Sequence, residues 1–303
     1  MKIQNLMKTN NFSRKTAAMV AVVSLGFAIS CSQDQTPFQT EAANAAEDAI
    51  TDYYYEDADD MGSLTLEATP EAAGGKTAKL IDDRLLCATI TVTPDSINGT
   101  EDNPIGDIVI DFSDNDAGEC VDPRGNVRKG KILIHFEGKR FHPGSFFVLT
   151  PDGYSINDIQ LEGTRTTTNI QETIVSNPLH EIVLTGGKAT WPDGSVATKE
   201  HCVTREWIRA NTPLLDQIIV SQCADEAFAA TGVNRRGINY EMSILVPIVH
   251  QRGCPLPVSG IKQFVDLNSG KVMTIDFGGG ECDTIVTISI DGSSRTVNVG
   301  RRG

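Results

Sequence analysis

Short runs of alternating apolar and polar residues fill the chain from Lys79 onward. The runs are rich in β-branched and aromatic residues, which is typical of strands that bury one face. The pattern predicts an all-β domain over 77–303, in which an antiparallel meander forms a β-sandwich or a long curled sheet. The predicted strands are 86–92, 108–112, 131–136, 146–149, 156–168, 181–185, 188–191, 217–221, 238–249, 272–277, 285–290 and 296–299. The predicted turns, each containing glycine, are 151–153, 186–187, 192–194 and 291–292.

Two segments are helix candidates, so we expect at most one or two short helices. In 41–56, apolar residues such as Ile50 and Tyr53 recur at helical spacing among helix-forming residues. The second candidate, 204–214, is limited by Pro213, because proline cannot continue a helix. Neither segment supplies the crossover helices that a parallel sheet requires.

The first 31 residues have the pattern of an export signal. The start is basic without any acidic residue, and an apolar run follows at 17–29. This run has about two-thirds of the ~20 residues that a membrane-spanning helix requires. The pattern therefore predicts a signal peptide over 1–30 rather than a permanent transmembrane helix.

The small residues Ala28 and Ser30, shortly before Cys31, resemble the lipobox of bacterial lipoproteins. The resemblance implies cleavage before Cys31 and acylation of its thiol and amine, which would tether the mature chain to a membrane. The expected location is therefore lipid-anchored to the outer membrane, at the cell surface or on the periplasmic face. An ordinary secreted protein with an incidental Cys31 is the alternative.

Residues 31–76 are interpreted as the lipidated cysteine followed by a flexible acidic spacer. Between 32 and 75 the chain holds eleven acidic residues and no basic one. This composition favours a solvated segment over a packed one. The helix candidate 41–56 lies inside the spacer, either free or docked on the β domain.

Removal of Cys31 leaves an even number of cysteines, which fits a disulfide framework in an exported chain. Six cysteines allow fifteen connectivities, and the spacing favours pairs that are neighbours in sequence. A bridge that closes such a loop removes roughly 3–4 kcal/mol of unfolded-chain entropy. Zinc is disfavoured because no C-x-x-C pair is present. The candidate pairs are Cys87 with Cys120, Cys202 with Cys223, and Cys254 with Cys282.

The chain is strongly acidic. Its first 30 residues hold four of the 26 basic residues and none of the 40 acidic ones, so the remainder carries a formal net charge of −18. Such a surface repels phosphate backbones, and no basic stripe with interleaved aromatic residues is present. Nucleic acid is therefore excluded as an expected partner, and contact with a membrane must come through the acyl anchor.

Two segments, 87–120 and 254–282, share one order of features. Each begins with a cysteine, passes through a predicted strand and an Ile-Asp-Phe strand, and ends in Gly-Glu-Cys. A duplicated Cys-to-Cys hairpin explains this similarity, with each bridge pinning the Asp-Phe strand to the strand before it. A solenoid requires at least three repeats, so a pseudo-symmetric sandwich or a long curled meander fits better.

The lipobox, the acidic spacer and the Ile-Asp-Phe-Gly-x-Gly-x-Cys segment at 275–282 resemble uncharacterised lipoproteins of the Bacteroidota. The segments 128–132 (Arg-Lys-Gly-Lys-Ile) and 162–169 (Glu-Gly-Thr-Arg-Thr-Thr-Thr-Asn) are also similar to that group's pattern. The resemblance covers most of the mature chain. It implies a tethered, β-rich envelope protein and supplies no known activity or functional residues.

An acidic cluster near the end of the first Ile-Asp-Phe strand is a candidate calcium site. Asp111, Asp114, Asp116 and Glu119 offer the hard oxygen ligands that Ca²⁺ takes. Their spacing differs from an EF-hand loop, and a solvated turn rich in Asp explains the same residues. Calcium is the single cofactor that the sequence suggests.

No common catalytic sequence pattern is present. The five histidines form no His-Glu-x-x-His, and the chain has no Gly-x-Ser-x-Gly. A glycoside hydrolase requires only two carboxylates, and nothing in the sequence selects a pair, so no catalytic residue is assigned. Trp191 and Trp207 are the binding candidates, as a sugar-stacking platform on a β surface; packing in the core or in an interface is the alternative.

The sequence as a whole favours a lipid-anchored envelope or cell-surface protein that binds a glycan or another envelope protein without catalytic activity. One alternative is a membrane-tethered hydrolase that acts on extracellular polysaccharide. Another is a structural or adhesive envelope component, which would expose an unpaired strand edge or form oligomers.

Overall fold

A computed structural model of the chain describes residues 37–69, 82–114, 117–211, 215–252, 254 and 256–298. These residues form one long α-helix, one short 3₁₀ turn and a large antiparallel β-sheet. The elements are α1 Pro37–Ala68, the 3₁₀ turn Asp83–Leu85, β1 Thr89–Pro94, β2 Ile105–Asp111, β3 Cys120–Val121, β4 Val127–Glu137, β5 Phe146–Ile156, β6 Ile159–Asn169, β7 Leu179–Thr190, β8 Val196–Ile208, β9 Gln217–Gln222, β10 Ala230–Val233, β11 Asn239–Gln251, β12 Ser259–Asp266, β13 Val272–Gly279, β14 Ile285–Ile290 and β15 Ser293–Asn298.

The sheet is a meander in which most strands pair with their neighbours in sequence, always antiparallel. Two short strands depart from the single path: β3 pairs with β4, and β9 lies between β8 and β11. The sheet curls around α1, because helix side chains reach strands as far apart in the sheet as β4 and β12. The predicted all-β antiparallel meander is confirmed, in its long curled form.

Two of the predicted turns are not turns. Residues 192–194 and 291–292 do separate strands, as expected. In contrast, residues 151–153 lie within β5 and residues 186–187 lie within β7, where the pairing register shifts on both sides of the irregular segment. The glycines there form β-bulges, which bend these long strands. Glycine suits a bulge for the same reason that it suits a turn, because its backbone adopts positive φ angles at little cost.

The predicted helix at 204–214 is wrong. Strand β8 continues through Ile208 and forms ladders with β7 on one side and with β9 and β10 on the other. Pairing on both edges outweighs the modest helix propensity of this segment. Strands β3 and β10 were not predicted, because such short runs give little alternation to detect, and the first part of β8 was also not predicted. Strand β12 was expected only without bounds, as the first strand of the 254–282 unit.

The segment expected to be a flexible spacer contains a helix of 32 residues, longer than the 41–56 candidate. Its second half is packed into the concave face of the sheet, where Tyr55, Ala58 and Met61 are buried in the main hydrophobic core. The hydroxyl of Tyr55 donates to the carbonyl oxygen of Glu162 on β6, at 2.6 Å. Residues 51–69 are therefore part of the domain. Contacts with the sheet bury their apolar side chains and pair their acidic ones with cations.

Three hydrophobic clusters lie along the sheet. The largest joins α1 to β2, β4, β5 and β6, and it contains Phe112, Phe136 and Tyr154. A second cluster lies between β7, β8, β10 and β11, and a third lies on β13 and β14. The helix thus covers the main core, while the C-terminal strands form a smaller core of their own.

Three disulfides join Cys87 to Cys120, Cys202 to Cys223, and Cys254 to Cys282, with Cα–Cα distances of 5.4, 5.6 and 5.3 Å. These are the pairs of sequence neighbours that the spacing favoured. Such bonds are typical of chains that fold in an oxidising, non-cytoplasmic environment. Among the described residues, no helix is both long enough and apolar enough to span a membrane.

The two Cys-to-Cys units also correspond in structure. In each unit the disulfide closes the open end of an antiparallel hairpin, β1–β2 in one and β12–β13 in the other. The aspartate of each Ile-Asp-Phe segment accepts a hydrogen bond from the backbone N–H two residues ahead, at 2.9 Å for both Asp111 and Asp276. The sequence similarity therefore marks two hairpins with the same local design.

Candidate binding cavity

A cavity of about 570 Å³ lies between the second half of α1 and one rim of the curled sheet. This rim is where β4, β6 and β8 end and where β5, β7 and β9 begin. The volume falls within the range of about 300–1,000 Å³ that is usual for small-molecule sites. The lining residues are Asp59, Asp60, Ser63, Leu64, Leu66, Glu67, Phe136, Gly138, Arg140, Phe141, Ser145, Phe146, Phe147, Thr167, Asn169, His180, Ile182, Arg205, Trp207, Arg209, Ile218 and Arg252.

The inner wall of the cavity is apolar. Leu66 from α1 and Phe136, Phe147 and Ile182 from the sheet are all buried, and each lines the cavity. The three sheet side chains project inward because alternate residues of a strand face the same side of the sheet. This wall can bury the apolar part of a ligand.

Two partly buried arginines hold α1 to the cavity wall. Arg140 forms an ion pair with Glu67 at 2.6 Å and donates to the hydroxyl of Ser63 at 2.8 Å. Arg205 lies 3.4 Å from a carboxylate oxygen of Glu56 and 3.7 Å from one of Asp59. Both guanidinium groups are therefore partly engaged by helix carboxylates.

Arg209 and Arg252 are exposed and lie at the mouth of the cavity. The guanidinium carbon of Arg209 lies 5.1 Å from the centre of the Trp207 ring, a cation–π contact. The Trp207 indole N–H donates to Asp216 at 3.3 Å, which fixes the ring. Among the described residues, neither Arg209 nor Arg252 forms an ion pair with a carboxylate.

Asn169 lines the cavity and has a side-chain hydrogen-bond donor without a partner among the described residues. Its side chain is 1% exposed, and its Oδ1 accepts from the backbone N–H of Gln171 at 3.0 Å. Its Nδ2 has no partner among the described residues. A buried donor without a partner costs free energy, so this part of the cavity wall lacks an acceptor.

The loop between β4 and β5 closes one side of the cavity around Phe141. Phe141 has φ of 65°, a left-handed conformation that is unfavourable for a bulky residue. Gln171 holds it there by donating to its carbonyl oxygen at 2.7 Å, and the Arg140 guanidinium stacks on its ring at 4.4 Å. The backbone strain places an aromatic ring and a guanidinium together at the cavity edge.

His180 is neutral at physiological pH. Burial lowers its pKa to about 4, and the positive charges of Arg140 and Arg205 act in the same direction. Its ring packs edge-on against Phe141, with 6.3 Å between the ring centres. The positive charge of the cavity therefore comes from its arginines.

Trp191 and Trp207 do not form one platform. Trp207 lines the cavity, whereas Trp191 is 8% exposed and packs in the main core, with the guanidinium carbon of Arg235 4.7 Å from its ring centre. The core alternative describes Trp191. The exposed face expected of a sugar platform is covered at Trp207 by Arg209.

The candidate calcium ligands do not converge in the part of the cluster that the structure describes. Asp111 pairs with Lys131 at 2.9 Å, and Glu119 pairs with Lys129 at 3.4 Å. Asp114 is exposed, and Asp116 lies outside the described residues. A lysine thus engages one oxygen of each of these two carboxylates, and they belong to no convergent ligand group among the described residues.

One other group of potential metal ligands is present in the described ranges. Oxygen and sulfur atoms of Glu181, Cys202 and Cys223 lie within 4.8 Å of one another. Both sulfurs belong to one disulfide, so they offer no thiolate to a metal.

Cys31 and the signal peptide lie outside the described residues.

Sequence reasoning did not single out the arginines of the cavity. They come from a loop after β4, from β8, from the end of β8 and from the end of β11, and they meet only when the sheet curls. No local motif marks them.

Comparisons with protein-family models, with curated proteins and with solved structures found no match to this chain.

Proposed function

We propose that this chain is an exported, lipid-anchored envelope protein that binds a ligand in its cavity without chemical turnover. The basic and apolar pattern before Cys31 supports export and lipidation, and the three disulfides are consistent with folding outside the cytoplasm. The acyl group on Cys31 would hold the domain at the outer membrane.

The single observation that carries the proposal is the cavity itself. It combines a usual ligand volume with a buried apolar wall, exposed cations at its mouth and the unpartnered donor of Asn169. Concave apolar surface with a few converging polar groups is the common form of a small-molecule site. The cavity is assembled from six strands, so it is a feature of the fold rather than of one loop.

The carboxylates of the cavity favour binding over hydrolysis. Asp59 is engaged by Arg165 and Thr167, Asp60 by Arg84, and Glu67 by Arg140. A glycoside hydrolase needs a pair of carboxyl groups that flank the bond to be cleaved, whereas each of these three is paired with a group of the protein.

Thermal unfolding in the presence of candidate ligands tests the proposal. The panel contains neutral oligosaccharides, uronic-acid oligosaccharides and alkyl carboxylates, and each mixture is also analysed for reaction products. A ligand at 100 times its Kd stabilises the folded state by about 2.7 kcal/mol, which raises Tm by roughly 5–10 °C in a domain of this size. We expect such a shift without new products.

The variant Trp207→Ala should abolish the shift, because it removes one wall of the cavity. The matched control is Trp191→Phe, a change at the core tryptophan, which should lower Tm but retain the ligand-induced shift. A shift that persists in Trp207→Ala would place the binding elsewhere. Release of shortened oligosaccharide would establish the hydrolase alternative instead.

The adhesive alternative retains one supporting observation. Within the described residues, the sheet ends in β1 and β15, each of which pairs with a single neighbouring strand. Open edges of this kind can pair with another chain. Sedimentation velocity over a concentration series tests this alternative: a species that stays monomeric throughout would count against assembly through these edges.

A further inference from the structure

We propose that the cavity takes an amphipathic anion, a molecule with one acidic head group, carboxylate or phosphate, joined to an apolar body. This inference rests on the proposed binding function and names its ligand class. The apolar body would lie against the buried wall, and the head group would lie among the arginines at the mouth.

The placement of charge around the cavity supports an anionic head group. Each carboxylate that lines it already binds a guanidinium or a hydroxyl group of the protein. Arg209 and Arg252 form no ion pair among the described residues, in a chain whose net charge is −14. The nearby Asp216 carboxylate accepts instead from the Trp207 indole and the Ala210 backbone N–H. Guanidinium groups bind carboxylate and phosphate oxygens through paired, charge-assisted hydrogen bonds.

The donors that remain free point to the same chemistry. Asn169 offers an N–H donor from Nδ2, and the guanidinium groups of Arg209 and Arg252 offer only donors. A ligand that reaches these groups must therefore present acceptor oxygens. A neutral ligand would leave both guanidinium groups without an ion-pair partner.

The apolar wall requires a body larger than an inorganic anion. Leu66, Phe136, Phe147 and Ile182 give the cavity an inner surface without charge. The ring of Phe141 and the face of Phe146 extend this surface toward the mouth. Burial of alkyl or ring surface there contributes to affinity in proportion to the area removed from water.

A neutral sugar fits these features less well. Sugar binding by stacking needs an open aromatic face, and the Trp207 face is covered by the guanidinium of Arg209 at 5.1 Å. Phe141 is likewise covered by Arg140 at 4.4 Å. One face of each ring is therefore already occupied by a guanidinium.

Isothermal titration of the mature chain with a matched set of probes tests the proposal. The probes are hexanoate, octanoate, decanoate and decyl phosphate, all below their micelle concentrations, with decanol, acetate and inorganic phosphate as the partial probes. We expect affinity to rise about threefold to fourfold for each added methylene. Decanol, acetate and inorganic phosphate should each bind at least tenfold more weakly than decanoate.

Arg209→Ala and Arg252→Ala should each weaken decanoate binding by at least tenfold, because a hydrogen bond to a charged group is lost. These arginines are chosen because no carboxylate is left unpaired by their removal, so folding is preserved; an unchanged Tm checks this. Arg295→Ala, an exposed arginine on β15 outside the cavity, is the control with the same change of charge.

Each outcome decides a part of the proposal. Equal affinity for decanol and decanoate would overturn the anionic head group, and equal affinity for acetate and decanoate would overturn the apolar body. If none of the alkyl anions binds but an oligosaccharide gives a Trp207-dependent Tm shift, the ligand class is wrong and the binding function stands. If neither probe set binds, both proposals fail.

Discussion

Asp57 on α1 and Arg128 on β4 form an ion pair of 2.6 Å in which both side chains are buried, at 3% and 1% exposed. The other oxygen of Asp57 accepts from Arg84 at 2.9 Å, and Tyr154 accepts a hydrogen bond from the Arg128 guanidinium at 2.7 Å. Two guanidinium groups thus share one carboxylate. This network, together with the apolar contacts of Met61, fastens an acidic helix to the sheet.

Asp57→Ala should destabilise the domain by about 3 kcal/mol, at the lower end of the range for a broken buried ion pair. It removes the nearest carboxylate of buried Arg128, which keeps Asp122 at 3.3 Å, while Arg84 keeps Asp82 at 2.6 Å. Chemical denaturation of the variant and the wild type measures the difference. Asp60→Ala is the matched control: Asp60 also pairs with Arg84, but its side chain is 61% exposed, so its loss should cost less than about 1 kcal/mol. Equal losses for the two variants would mean that burial does not set the strength of this network.

Gly130 and Gly153 approach each other closely where β4 and β5 form their bulge. Gly130 has φ of 75°, and a Cβ placed on it would collide with the carbonyl oxygen of Gly153. Gly130→Ala should therefore cost roughly 2–4 kcal/mol, from the left-handed conformation together with the steric clash. Gly144→Ala is the control, because Gly144 has φ of 81° and open space around it. This variant should lose only the free energy of the left-handed backbone conformation, about 1–2 kcal/mol. The difference in denaturation midpoint between these two variants measures the clash.

Alternation along the chain was sufficient to locate much of the sheet, because half-buried strands repeat their pattern every two residues. The predicted strand 285–290 coincides with β14. The same reasoning missed the helix length, since the acidic residues of α1 are compatible with burial only when Arg84, Arg128 and Arg165 are opposite them. A single segment does not reveal its distant partners.

The cavity was not predictable for a related reason. Trp207 was a candidate because a single tryptophan can be recognised in a sequence as a possible binding residue. Arg140, Arg209 and Arg252 come together only through the curl of the sheet, which no local pattern reveals. The left-handed conformation of Phe141 has no sequence signal at all. Cysteine spacing was more informative, because each bond closes a local hairpin or adjacent strands.

Stability should fall as the pH is lowered from 7 to about 5. Burial lowers the pKa of His201 to about 3 and that of His180 to about 4, and it also lowers the pKa of His250. Below about pH 6.5 the unfolded chain binds protons at these sites while the folded chain does not, so protonation favours unfolding. Each histidine contributes a slope of at most about 1.4 kcal/mol per pH unit.

Denaturation at a series of pH values measures this slope, and His201→Gln should make it shallower between pH 6.5 and 5. Asp52 affects stability at lower pH. Burial raises its pKa, but the positive charges of Lys199 and Lys262 outweigh that effect, so the net pKa is lowered. The stability that Asp52 provides is present above its unfolded pKa of about 4 and is lost as the pH falls further. An unaltered slope in His201→Gln would contradict the assignment of His201 as a group that is neutral in the folded state.

The disulfide between Cys254 and Cys282 should stabilise the C-terminal hairpin. Its loop of 28 residues corresponds to roughly 3–4 kcal/mol of unfolded-chain entropy. The double variant Cys254→Ala/Cys282→Ala should lose about this amount in denaturation, with the wild type under reducing conditions as a comparison. Intact mass under non-reducing conditions should show the loss of two hydrogens for each of the three bonds, and free-thiol labelling of any of these cysteines would contradict the pairing.

Lipidation of Cys31 is the prediction on which the proposed location depends. Cys31→Ser removes the thiol that would carry the acyl chain, so the protein should move from the membrane pellet to the soluble fraction when cells are lysed and fractionated. Gln33→Ala, two residues further on, changes a side chain without a role in acylation and should leave the protein in the pellet. The mature wild-type chain should also gain the mass of its acyl groups. If Cys31→Ser remains in the pellet as the wild type does, the membrane contact comes from another part of the chain, and the lipid anchor is excluded as its cause.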